Sequence, residues 1–160
     1  MVLGTACLAL VTVAAVRSGP SHHDPDAGVN TGSGGPTPPQ SQQAYAVARQ
    51  EFGLLSGGGW AQAWDLWTAS AQRTVPQAEF VRVNTACRPA IGVPYVIDSG
   101  TVTDPTTVRI TWHRADVTGS NSLLYQSGHW RFAPDAGTVA DYRLGADRLI
   151  EQRRAAGSCH

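Results

Sequence analysis

TVRITWHRADVTGSNSLLYQSGHWRF, residues 107–132, decides the fold. Val108, Ile110 and Trp112 alternate with Arg109, Thr111 and His113. That two-residue period is a strand with one apolar and one polar face. Thr118-Gly119-Ser120-Asn121 reads as a turn, and Ser122 to Gln126 as the next strand. Ser127-Gly128 gives a tight turn before His129 to Phe132, where Trp130 and Phe132 share a face opposite His129 and Arg131. Upstream, Tyr95 to Val102 is β-type and Asp104-Pro105 signals a turn. Four strands this closely spaced predict an antiparallel meander.

The residues before the strands have helical spacing. Tyr45, Ala48, Phe52 and Leu55 form one amphipathic stripe, closed by Gly57-Gly58-Gly59. Trp60, Ala63, Trp64, Trp67 and Ala71 form a second, in which three indoles make a broad apolar plate, read as core packing with a ligand wall as the sharper alternative. Thr74, with Gln77 three residues on and Pro76 between, predicts a capping box and a third helix with Phe80, Val83 and Cys87 buried. After the strands, Thr138 and Asp141 predict another capping box. Val139, Tyr142, Ala146 and Leu149 form the stripe of the helix it opens. Arg153 and Arg154 suit its last turn, and Gly157 its C-cap. Helices ahead of antiparallel strands make the class α+β.

Four segments carry a resemblance: the first helix, the stretch from Gly58 to Trp67, the helix start Val75-Pro76-Gln77-Ala78-Glu79-Phe80, and the strand Ser127-Gly128-His129-Trp130-Arg131-Phe132. Together they resemble the nuclear transport factor 2-like (cystatin-like) superfamily, and within it small exported lipoprotein-type domains of actinobacteria. The likeness spans Ser41 to Phe132, and the C-terminal helix with Cys159 looks like an addition. It implies a cone of helices packed on a curved four-stranded antiparallel sheet, with a pocket at the open end. Fold alone does not choose among the dehydratases, isomerases and non-catalytic binders of such a group.

The N-terminus supplies the compartment. Val2 to Val16 is apolar or small throughout, and Arg17 ends the run. About 15 residues suit a signal-peptide core better than a membrane span, which needs about 20. Val13-Ala14-Ala15 offers small residues for cleavage after Ala15, but no basic residue precedes the run. Residues 1–17 are therefore read as a signal peptide or a short membrane anchor, and either the true start lies upstream of Met1 or the signal is atypical. Gly4-Thr5-Ala6-Cys7 loosely resembles a lipobox but stands ahead of the apolar stretch, the wrong order for lipidation. Residues 18–40 are rich in Gly, Pro and Ser and read as a disordered tether, the His22-His23 pair included. The folded domain is expected over residues 41–160. Export places Cys87 and Cys159 in an oxidising setting, where a disulfide between them is expected. Closing that loop stabilises by on the order of 4 kcal/mol in the chain-entropy model.

Charge excludes more than it selects. Twelve acidic and twelve basic residues leave no net charge, and every cation is an arginine. The arginines are scattered, which disfavours nucleic acid as a partner. Phosphate-loop, paired CxxC, HExxH and GxSxG patterns are absent, so no metal or cofactor is expected. Acid–base candidates are Asp98, His113 and His129, with Asp98 and His113 the main pair. Both belong to the solvated face if the apolar face lines the cone. The leading expectation is a non-catalytic extracytoplasmic accessory domain. It would bind a protein partner or a small apolar ligand, with Trp60, Trp64 and Trp67 as candidate ligand contacts and a possible N-terminal membrane tether. The alternatives are a cofactor-independent lyase or isomerase and an adaptor for cell-wall or transport machinery.

Overall fold

In the computed structural model, residues 39–89 and 91–159 are described, so the expectations for the leader, Cys7 and most of the tether lie outside the described residues. The chain runs α1 (Ser41–Gly57), α2 (Trp60–Asp65), α3 (Ala69–Thr74) and α4 (Gln77–Cys87). The strands follow as β1 (Val96–Asp104), β2 (Thr107–Arg114), β3 (Val117–Gln126) and β4 (His129–Ala133). The chain closes with α5 (Ala136–Tyr142) and α6 (Ala146–Ala155). The strands form one open antiparallel sheet in sequence order, and the helices pack against it, so the class is α+β.

The alternation in β2 sets the inner face. Val108 faces Leu123, which in turn faces Phe132; Ile110 faces Asn121, and Trp112 faces Gly119. Arg109, Thr111 and His113 point to the other side. Gly119 is required by its neighbour, since a Cβ there would run into the Trp112 indole. The turn expected at Thr118–Asn121 is instead part of β3. The hairpin turns at Ala115-Asp116, between the paired residues Arg114 and Val117, and Ala115 adopts φ 51°. Two bulges interrupt the β1–β2 ladder, between Ile97 and Ser99 and between Val102 and Asp104. Bulges of this kind bend a strand and strengthen its twist.

The expected second helix is two. At Leu66 the chain leaves the helix and pairs with the edge of β4: Phe132 N–H donates to the Leu66 carbonyl, and Thr68 N–H to the Phe132 carbonyl. This cross-link covers the β4 edge, which would otherwise expose unpaired backbone. Thr68 then caps α3 by accepting from Ala71 N–H. The break also divides the three tryptophans. Trp60 and Trp67 are buried in the core, while Trp64 turns aside and donates to the Val75 carbonyl.

Two capping boxes are also corrected. α4 begins after Pro76 without a side-chain cap, because the Thr74 hydroxyl donates back to the Ser70 carbonyl and the Gln77 amide reaches Asp65. Asp135, not Thr138, caps α5 by accepting from Thr138 N–H and Oγ1–H. Gly145, at φ 82°, then ends the expected single C-terminal helix early and starts α6 in a new direction.

α6 lies on α4. Leu149 and Ile150 enter the core, Arg82 pairs with Asp147, and Cys87 is joined to Cys159 by a disulfide. No helix among the described residues is long and apolar enough to cross a membrane.

The bridge spans a sequence separation of 72 residues. A Cys159→Ser variant should therefore lose roughly 2–4 kcal/mol of stability, read from its denaturant midpoint. Wild-type stability should fall to the variant's when a reductant is added. Equal stability with and without reductant would show that the bridge carries no part of it.

Candidate functional site

The inner face of α1 carries Ala44, Ala48, Glu51 and Phe52, all buried. Glu51 is fully enclosed, at 0% exposure. One carboxyl oxygen accepts a hydrogen bond from Trp67 Nε1 at 3.0 Å. The other, Oε2, is buried and has no hydrogen-bond partner among the described residues. Burial pushes the Glu51 carboxyl up to about 8, against a smaller downward pull from the Trp67 bond. At neutral pH it is therefore mainly an uncharged acid, able to donate one hydrogen bond and accept others.

Glu51 forms the floor of a cavity of about 240 Å³. Aromatic rings build its walls and brace one another. Phe52 stacks on Tyr95 at 4.6 Å and meets Phe132 edge-on at 5.6 Å. Phe80 lies between Trp67 at 4.7 Å and Tyr142 at 5.4 Å. Trp112 abuts Tyr95 at 5.0 Å. Such interlocked rings leave little rotamer freedom, so the walls are largely preformed.

The polar wall atoms have partners that fix them. Asn84 donates to the Phe80 carbonyl and to Tyr142 Oη, each at 2.8 Å. Asn121 accepts from Trp112 Nε1 and donates to the Ala133 carbonyl. Burial pushes the Tyr142 phenol up to about 12, so it keeps its proton.

The mouth is more polar. Arg114 donates from Nε to the Val93 carbonyl and lies 4.7 Å over the Tyr95 ring. Arg153, from α6, stands 5.7 Å over the Tyr142 ring. Opposing influences act on Asp135: burial raises its carboxyl, but hydrogen bonds from the hydroxyl and amide of Thr138 and from the Asp135 and Gly137 amides together hold it below its usual value.

Asp98 and His113 are brought together, but outside this cavity. His113 Nδ1 lies 2.6 Å from Asp98 Oδ1, and both side chains are more than two-fifths exposed. The pair sits on the outer side of the β1–β2 ladder, opposite Trp112. His129 is exposed at the start of β4. Of the three candidate tryptophans, Trp60 and Trp67 line the cavity and Trp64 does not. No group of three or more side chains suited to hold a metal ion occurs among the described residues.

Sequence reasoning missed Glu51, although a signal was present. It stands three residues after Ala48 and four before Leu55, on the apolar stripe itself. A glutamate there is ordinarily assigned to the solvated flank of a helix. Asn121 was missed similarly, because its segment was read as a turn. No family model matches the chain, and no curated protein or solved structure matches it significantly.

A buried acid of this kind leaves a trace in stability. Its folded value near 8 lies above its ordinary 4.5. Its contribution is therefore fully present below pH 4.5, falls as the unfolded chain alone ionises, and is lost by about pH 8. Glu51→Gln should flatten the wild-type loss of stability over that interval, which is at most roughly 4 kcal/mol. Parallel stability–pH curves for the two proteins would show that Glu51 is ordinary in its proton affinity.

Proposed function

We propose that this is an extracytoplasmic accessory domain of the nuclear transport factor 2-like group that binds a small, mainly apolar molecule in the aromatic cavity. Glu51 carries the reading. Enclosing a carboxyl with one unpartnered oxygen costs stability, and a neutral amide in its place would still accept the Trp67 bond without an ionisable group. Groups that oppose stability cluster where they serve a ligand. Ring walls supply the apolar contact, while Glu51 supplies the polar anchor that fixes orientation. The cavity lies somewhat below the roughly 300–1,000 Å³ range of drug-sized sites, so the occupant is small or leaves one end outside. The apolar N-terminal segment and the Cys87–Cys159 bridge support the extracytoplasmic placement.

Thr138 lines the cavity near its mouth and is half-buried. Thr138→Trp should obstruct it with little change in melting temperature. Titration of 2-naphthol into the wild type should change tryptophan fluorescence saturably, and the variant should lose that response. An unchanged response in the variant places the binding elsewhere and defeats the reading.

A second reading also has support in Glu51. A carboxyl near pKa 8 at the floor of an aromatic-walled cavity is matched to proton transfer at neutral pH. The domain would then act as a cofactor-independent isomerase or lyase whose base is Glu51 rather than Asp98 or His113. Such a base should catalyse deuterium wash-in next to the carbonyl of a cyclic ketone such as 2-tetralone, followed by NMR. Glu51→Gln should reduce the rate by about 100-fold or more. Equal wash-in with both proteins would leave ligand binding alone.

A further inference from the structure

The cavity is graded in charge from floor to mouth, and this narrows the ligand class beyond small and apolar. The inference rests on the binding reading above. At the deep end, Glu51 is fully enclosed and mainly uncharged at neutral pH. At the shallow end stand two guanidinium groups from different elements, Arg114 on β2 and Arg153 on α6, both half-buried. Each lies over a cavity-wall ring, Tyr95 for Arg114 and Tyr142 for Arg153. Among the described residues Arg153 forms no ion pair.

The remaining titratable groups facing the cavity are Tyr95 and Tyr142, both phenols, and the carboxylate of Asp135. Asp135 is engaged in capping α5, its two oxygens taken by the Thr138 amide and hydroxyl. At the mouth Arg153 is therefore a guanidinium with no carboxylate partner among the described residues, and the floor is mainly uncharged at neutral pH.

We propose that the cavity takes an amphipathic organic carboxylate, its apolar body between the rings above Glu51 and its carboxylate at Arg153 in the mouth. A planar guanidinium matches a carboxylate in a fork geometry that a point charge does not reproduce. Its partial burial at a ring face raises the worth of the contact over that of an open surface pair. An ammonium ligand of the same shape would meet the like charge of Arg153 on entering. Glu51 then selects bodies that carry a hydrogen-bond acceptor, because its unpartnered oxygen presents a proton to the apolar floor.

Three probes of one shape test this on the wild-type domain by calorimetry at pH 7: 4-phenylbutyrate, 4-phenylbutanol and 4-phenylbutylamine. The carboxylate should bind about tenfold more tightly than the alcohol, and the amine most weakly. Arg153→Gln should bring the carboxylate to the affinity of the alcohol while leaving the alcohol unchanged, and Arg153→Lys should restore part of the preference. Unaltered alcohol binding in the glutamine variant also shows that the fold and cavity are intact. Alcohol or amine binding at least as tight as that of the carboxylate overturns the charge assignment and leaves the cavity as a binding site. Binding of none of the three overturns the binding reading itself.

Discussion

The buried hydrogen bond from Trp67 to Glu51 is the contact on which the arrangement turns. Trp67 lies where the chain leaves one helix and has not begun the next, and its neighbours Leu66 and Thr68 are tied by backbone bonds to Phe132. One short segment thus fastens the helical layer to the edge of the sheet, and the indole N–H fastens it to the middle of α1. Without an acceptor at Glu51 the indole N–H would be buried unpaired, a cost of about 1–3 kcal/mol. The acceptor itself is the source of the unusual proton affinity. The same contact therefore serves packing and site, and Glu51 cannot be exchanged for an apolar residue without leaving Trp67 unsatisfied.

The far wall depends on a different constraint. α6 has few apolar residues of its own, and Leu149 and Ile150 are the large ones it buries. The disulfide and the burial of those two side chains hold it against α4, and the exposed Arg82–Asp147 pair adds little. Arg153 and the adjoining Tyr142 are set by that attachment, so the covalent bridge shapes one side of the cavity mouth. In an oxidising compartment such a bridge offsets the modest core available to a domain of this length.

Polar residues within the apolar ladder give the site its character. Asn121 occupies the position opposite Ile110, where an apolar side chain would be expected. It is satisfied by the Trp112 indole and the Ala133 carbonyl. Asn84 does the same for Tyr142 from α4. These bonds orient the rings and leave Glu51 Oε2 as the cavity's unpartnered buried side-chain oxygen among the described residues. Asp98 and His113, by contrast, are hydrogen-bonded in a solvent-facing setting, where such contacts contribute little.

By itself the sequence determined what depends on local period and on composition. The α+β class, the four strands, the inward Val108, Ile110, Trp130 and Phe132, and the Cys87–Cys159 pair were all legible, because alternation and the placement of cysteines are written residue by residue. Tertiary structure decided where the elements break and which side chains meet. The Trp60–Ala71 stripe is helical throughout in pattern, but backbone pairing with Phe132 outweighed helical propensity at Leu66–Thr68. The turn near Asn121 was a strand because turn residues such as Gly119 can also serve close packing, here beneath Trp112. Glu51 draws no notice in the sequence, because a glutamate on a helix ordinarily faces water. Only the rings arriving from α4, β2 and β4, and the indole of Trp67, enclose it and change its chemistry, and no local pattern encodes that enclosure.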